Sequence, residues 1–148
     1  MNGLRSFRLH YLRSSIKYHL TTFVLGYPLE AWNLLKAAFA KTSEPRQKFV
    51  IFTDGRSGST LLVDLLNANP AVHCDDELLK RRVFFPMRQI DLHARQSPKE
   101  VYGFKLLSYQ LKNVQTSIRD KEAFLRQLIA EGYRIIYLHR ENKVLQAL

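Results

Sequence analysis

The rhythm of hydrophobic positions changes near residue 48. From 48 to 53 the run Lys-Phe-Val-Ile-Phe-Thr is almost continuously apolar. A run that short, closed by turn residues, predicts a central strand buried on both faces. Small and polar residues follow, and then Leu61, Leu62, Leu65 and Leu66 recur at helical spacing across 60–67. Asn69-Pro70 ends that helix, because a residue before proline is pushed out of the helical region. Residues 71–74 predict a second strand and 101–107 a third. Across 121–131 a helix is predicted, with Phe124, Leu125, Leu128 and Ile129 apolar and Gly132 as its stop. Residues 134–139 predict another strand, and a helical pattern resumes at 141. Residues 78–99 are mixed and basic, and their pattern assigns no element. Strands alternating with helices predict an α/β fold: a parallel sheet with flanking helices.

Residues 1–46 follow a different pattern. Arg5, Arg8, Arg13 and Lys17 are interleaved with Phe7, Leu9, Tyr11, Leu12, Ile16 and Tyr18 at loosely helical spacing. Gly26-Tyr27-Pro28 breaks this stretch. A second helix is predicted over 29–40, with Trp32, Leu35 and Phe39 on one face, and 41–45 reads as a linker. The organisation expected is therefore a basic helical extension over 1–46 and an α/β domain over 47–148. A basic amphipathic segment suits a membrane surface, and it equally suits packing on the main domain. The helix after 141 has barely two turns, which is marginal without packing partners. The α/β part is expected to be the N-terminal portion of a longer domain.

Composition narrows the class. The 148 residues are 46% hydrophobic and 24% charged, ordinary for a globular chain. The 23 Lys and Arg against 13 Asp and Glu leave a net charge of +10. Such a surplus favours an anionic partner: nucleic acid, a membrane surface or a phosphorylated small molecule. The single cysteine, Cys74, can form neither an internal disulfide nor a thiolate zinc site alone. No paired-histidine spacing appears, so no metal is expected. No apolar run reaches the length of a membrane span. A cytoplasmic location is expected, with peripheral membrane contact through the basic N-terminal segment as an option.

The chemistry concentrates after the first strand. In "DGRSGSTLL", residues 54–62, two glycines, three hydroxyls and one arginine fall within 54–60. Parallel α/β proteins bind ligands at the carboxyl ends of their strands. Gly55 and Gly58 allow a tight turn with N–H groups facing an anion. Ser57, Ser59 and Thr60 add hydroxyl donors, and the next helix points its N-terminal dipole at the same spot. Arg56 adds a permanent charge with a planar donor fork. The usual triphosphate loop, G-x-x-x-x-G-K-[ST], is absent. The bland alternative is a plain Gly/Ser connection between strand and helix.

"FTDGRSGSTLL" resembles the 5'-phosphosulfate loop of sulfotransferases that use 3'-phosphoadenosine 5'-phosphosulfate. It is most similar to the bacterial carbohydrate-type members, which carry Arg-Ser-Gly-Ser-Thr. "NANPAVHCDDELL" at 67–79, "YGFKLL" at 102–107 and "YRIIYLHREN" at 133–142 resemble three later segments of that family, in order. The resemblance covers roughly 48–148. It implies a P-loop-like fold and sulfuryl transfer to a hydroxyl or amine of a carbohydrate, lipid-linked or small-molecule acceptor. It implies that Arg56, Ser57, Gly58, Ser59 and Thr60 cradle the donor's 5' end, and that Glu77 is the general base. Asp75 and Asp76 are neighbours able to substitute for it. It implies that Arg140, ending the last strand, anchors the 3'-phosphate as a second, distant site. The serine that the family pairs with this arginine is missing from 142–148. With half the donor site and much of the core expected to lie outside it, the chain alone is expected to show no turnover.

Each role has a plainer counterpart, and for Arg140 it is a surface arginine capping a strand. Asp75-Asp76-Glu77 would also suit a solvated helix N-terminus. Lys105 could meet the transferring sulfuryl group, but an edge-strand lysine that blocks aggregation is the simpler explanation. Two other function classes remain open: a nucleotide or small-molecule kinase with an atypical loop, and a basic module that binds nucleic acid or anionic membrane.

Overall fold

The computed structural model describes residues 44–141, together with Trp32 and Leu35, which are helical. The chain divides into two compact units, Met1–Ala40 and Lys41–Leu148. The basic segment, its break at 26–28 and the helical pattern after 141 lie outside the described residues.

Within the second unit the order is β1 (Gln47–Thr53), α1 (Ser59–Asn67), β2 (Val72–Glu77), α2 (Pro86–Gln96) and β3 (Val101–Leu107). A π-helical turn (Gln110–Val114), α3 (Lys121–Ala130) and β4 (Tyr133–Leu138) complete it. The four strands form one all-parallel sheet in the order β2-β3-β1-β4. The expected α/β fold with a parallel sheet and flanking helices is therefore present.

Alternation along the strands sorts the core into two layers. Phe49 and Ile51 of β1 pack with Val63 of α1 and Cys74 of β2. Val50, Phe104, Leu106 and Tyr133 pack on the other face with Ile90 of α2 and Leu128 of α3. The helix that carries the chain from β1 outward to β2 thus covers one face. The helices that bring it back, first to β3 and then to β4, cover the other. Crossovers of a single hand require this change of face whenever the direction along the sheet reverses. The reversal falls between β1 and β3. The crevice outside the carboxyl ends of those two strands is where such sheets take ligands.

Three local features depart from the sequence expectations. The unassigned stretch 78–99 contains α2, which starts with Pro86 in its first turn, where a missing N–H costs nothing. Strand β2 runs on to Glu77, so the three acids are strand residues and do not form a helix N-terminus. Strand β3 is an interior strand, which excludes the edge-strand explanation of Lys105. The outer edge of β2 is partly closed by Asn67, whose side chain donates to the Cys74 carbonyl and accepts from its N–H, both at 2.8 Å. A side chain there takes the place of a neighbouring strand.

Candidate functional site

The loop between β1 and α1 is tied to the sheet from below. Thr53 is fully buried. Its Oγ1 lies 2.8 Å from the Leu138 carbonyl and 2.6 Å from Ser57 Oγ. A hydroxyl has one proton, so Thr53 donates to the carbonyl of β4 and accepts from Ser57. The Ser57 hydroxyl is thereby turned inward, and only its backbone N–H remains for an anion. Asp54 closes the neighbouring side: Ser108, just beyond β3, donates to its Oδ1 at 2.5 Å. That bond spans β1 and β3, the two strands at which the sheet reverses direction.

Two backbone conformations shape the loop above this base. Gly58 has φ 84° and is the N-cap of α1, and Arg56 has φ 59°. The left-handed region is cheap for glycine and costs an arginine about 1 kcal/mol. Strain of this kind concentrates where ligands are held. Helix α1 has no side-chain cap and no acidic residue in its first turn, so its leading N–H groups keep their positive end for an external anion. Arg56 is exposed. Arg140 Nη1 donates to the Arg56 carbonyl at 3.3 Å. The guanidinium expected as a distant anchor therefore contacts the loop itself.

Below the first turn of α1 lies a buried cation. Lys105 is 2% exposed. Its Nζ lies 2.5 Å from Asp76 Oδ1, 3.6 Å from Glu77 Oε1 and 3.3 Å from Thr60 Oγ1. Both carboxylates reach it because the pairing of β2 with β3 slips between Asp75 and Glu77, so that Glu77 stands opposite Lys105. A β-bulge re-aims side chains in this way. Thr60 accepts from Lys105, which leaves the Thr60 proton to be donated outward. Glu77 is held on its other oxygen by Gln110 Nε2 at 3.0 Å and the Tyr109 hydroxyl at 3.2 Å. Gln110 is fully buried and its Oε1 accepts from the Leu107 N–H, so the amide fixes Glu77 from a rigid support. Gln110, Tyr109 and Ser108 carry no sequence signal. They become visible only once the π-helical turn is seen to follow β3.

Asp75, offered as an alternative base, is turned away from this cluster. Its carboxylate accepts from the Tyr102 hydroxyl at 2.8 Å and lies 3.0 Å from His93 Nδ1 and 3.3 Å from His73 Nε2. Burial pushes the Asp75 carboxyl up, but the hydrogen bonds from His93 and Tyr102, with the charges of the two histidines, outweigh it and hold it below its ordinary value. A carboxylate whose folded pKa is depressed contributes stability above its unfolded pKa and loses it as pH falls through the folded one. Asp75→Asn is therefore expected to cost about 1 kcal/mol near neutral pH. In urea titrations the gap to the parent chain should close as the pH drops below about 4. A gap that stays constant down to the most acid pH would show that Asp75 packs without acting as a charge.

The site thus brings together Arg56, Ser57, Gly58, Ser59, Thr60, Lys105, Glu77 and Arg140 at the carboxyl edge of the sheet, with Asp76 and Gln110 added. Ser59 is buried beneath the first turn. Among the described residues no group of three or more His, Cys, Asp or Glu is arranged to hold a metal ion. No described helix is long and apolar enough to cross a membrane. Two cavities, of about 350 and 280 Å³, lie elsewhere and are lined by none of the loop residues. No protein-family model, no curated protein and no solved structure matches this chain.

Proposed function

We propose that the chain carries the donor-binding and catalytic edge of a sulfotransferase with a P-loop-like fold. The observation that carries this proposal is the junction of an uncapped, arginine-bearing loop with the buried Lys105 cluster through Thr60. A loop alone suits any anion. A loop joined to an internal cation and two oriented carboxylates suits group transfer from an anionic donor to a hydroxyl or amine.

In this proposal the donor is 3'-phosphoadenosine 5'-phosphosulfate, whose sulfur accepts the nucleophile while its bond to the 5'-phosphate oxygen breaks. The N–H groups at 57–60, the Thr60 hydroxyl and Arg56 hold the 5' end and stabilise charge that grows on the leaving phosphate. Arg56 stays protonated and acts electrostatically. Lys105 faces the transferring group from below. Glu77, fixed by Gln110, takes the acceptor's proton. Arg140 binds the 3'-phosphate beside the loop. No metal is needed for any of these roles, and the positive balance of the chain favours capture of so anionic a donor.

Calorimetric titration with three ligands tests the proposal. Adenosine 3',5'-bisphosphate should bind more tightly than ATP with magnesium, and duplex DNA should not compete for it. A preference for ATP with magnesium would replace the proposal with a kinase. A salt-steep affinity for DNA with no bisphosphate binding would replace it with a nucleic-acid module.

A further inference from the structure

The larger cavity, about 350 Å³, lies between the start of α2 and the start of α3. Each of these helices follows a strand, so the cavity opens toward the same carboxyl edge as the loop but on the opposite face of the sheet. None of the functions assigned above uses it.

Its lining has two distinct chemistries. Phe84, Phe85, Ile118 and Phe124 supply apolar and aromatic surface, and Arg88 and Arg119 supply charge. Phe124 is buried in the core, whereas Phe85 is exposed to solvent. An exposed aromatic in a concave apolar setting is a surface that a flat ligand covers. The Arg88 guanidinium sits 5.5 Å over the Phe85 ring. No carboxylate among the described residues forms an ion pair with Arg88 or Arg119. The one acid in the lining, Asp120, turns an oxygen to the start of α3, where it accepts from the Ala123 N–H at 2.9 Å, so two positive charges stand against one negative.

The wall is built in advance. Gln115 is fully buried. Its amide donates to the carbonyls of Leu79 and Arg81 at 2.8 and 2.6 Å and accepts from the Val83 N–H at 3.2 Å. Ser117 Oγ holds the Val83 carbonyl at 3.2 Å. The segment that delivers Phe84 and Phe85 is thus anchored by the side chains of Gln115 and Ser117. A preformed cavity loses little ordering entropy on binding.

We infer that this cavity is a binding site for a small aromatic anion, with a ring against Phe84, Phe85 and Phe124 and a carboxylate, phosphate or sulfate between Arg88 and Arg119. The volume is at the lower end of the range for small-molecule sites, which limits the ligand to one or two fused rings. The site is separate from the sulfotransferase proposal and stands whether or not that proposal does.

The test uses 1-naphthyl phosphate, 1-naphthol and inorganic phosphate, followed by amide and methyl chemical shifts in the full chain. 1-Naphthyl phosphate should perturb Ile118, Ala123 and Phe124. Its affinity should fall about tenfold in Arg88→Gln and again in Arg119→Gln, as expected for a lost charge-assisted hydrogen bond. Ala123→Phe, at an exposed helix position in the lining, should fill the cavity and abolish the perturbation. The response of residues 58–60 to inorganic phosphate should survive these three substitutions, since it reports on the loop alone. Equal binding of 1-naphthol, undiminished affinity in the double arginine variant, or shifts confined to residues 55–60 would each overturn the inference.

Discussion

Gly103→Ala is expected to destabilise the chain by about 3 kcal/mol, the upper part of the range for overpacking a close-packed core. Gly103 lies in the interior strand β3, directly opposite Phe49 of β1. A Cβ built on Gly103 would lie 2.2 Å from one ring carbon of Phe49 and 2.3 and 2.5 Å from two others. The ring cannot swing aside cheaply, because Phe49 is itself in the core with Ile51, Val63 and Cys74. For a domain near 100 residues the loss corresponds to a fall in melting temperature of roughly 15 °C. Thermal unfolding followed by circular dichroism measures it. Phe49→Leu in the same chain should recover part of the loss, since the two sites share one contact and couple. A fall of only a few degrees, or strict additivity of the pair, would show that the ring does not occupy the space above Gly103.

Lys105→Met is expected to cost about 2 kcal/mol and to remove the positive charge beneath the loop. Stranding a partner of a fully buried ion pair costs about 3–5 kcal/mol. Here the Asp76 side chain is 57% exposed, so water recovers part of the loss and the smaller figure applies. Asp76→Asn should therefore be worth less in the Lys105→Met background than in the parent chain. Urea denaturation of the four proteins of that cycle gives the coupling directly. An exposed edge lysine would give a change within about half a kcal/mol and no coupling with Asp76. The same substitution should weaken phosphate binding at the loop, because Thr60 then loses the donor that orients its hydroxyl.

Much of this fold is legible in the chain, because its strands are short apolar runs and its helices α1 and α3 have regular spacing. Strand β3 falls on the residues that the pattern names, and β1, β4, α1 and α3 differ from it by a residue at one or both ends. Helix α2 is hidden for a physical reason. Its buried residues, Pro86, Ile90, Leu92 and Ala94, are few, and two of them are small or kink-associated. Arg88, His93 and Arg95 mask the rest. Pro86 was the available signal, since proline favours the first turn of a helix. Strand β2 is cut short in the pattern because three consecutive acids have low strand propensity. They are tolerated there because Asp75 meets Tyr102 and two histidines while Asp76 and Glu77 meet Lys105.

The loop is the most legible part of the site, since glycines, hydroxyls and an arginine in a row after a buried strand describe their own chemistry. Its supports are not legible. Thr53 binds Leu138 across 85 positions, and Ser108 binds Asp54 across 54. Bonds of that kind depend on strand order, which no local pattern encodes. The standing of Lys105 depends on the same fact. At an edge it would be a solvated cation, and between β2 and β1 it is the buried centre of the cluster. Gln110 and Gln115 belong to this class too, as buried amides whose partners are groups brought close by the sheet.

In the proposed function, one phosphate group of a nucleotide would sit on the loop with Arg56 while a second would meet Arg140 beside it. Titration of adenosine 3',5'-bisphosphate by calorimetry into the parent chain, Arg56→Ala and Arg140→Ala tests this most directly. Each substitution should weaken the bisphosphate by about tenfold or more. Adenosine 5'-phosphate should respond strongly to Arg56→Ala and only weakly to Arg140→Ala, which takes from it just the bond to the Arg56 carbonyl. Equal sensitivity of both nucleotides to both substitutions, or bisphosphate binding unchanged in either variant, would rule out separate sites for the two phosphates.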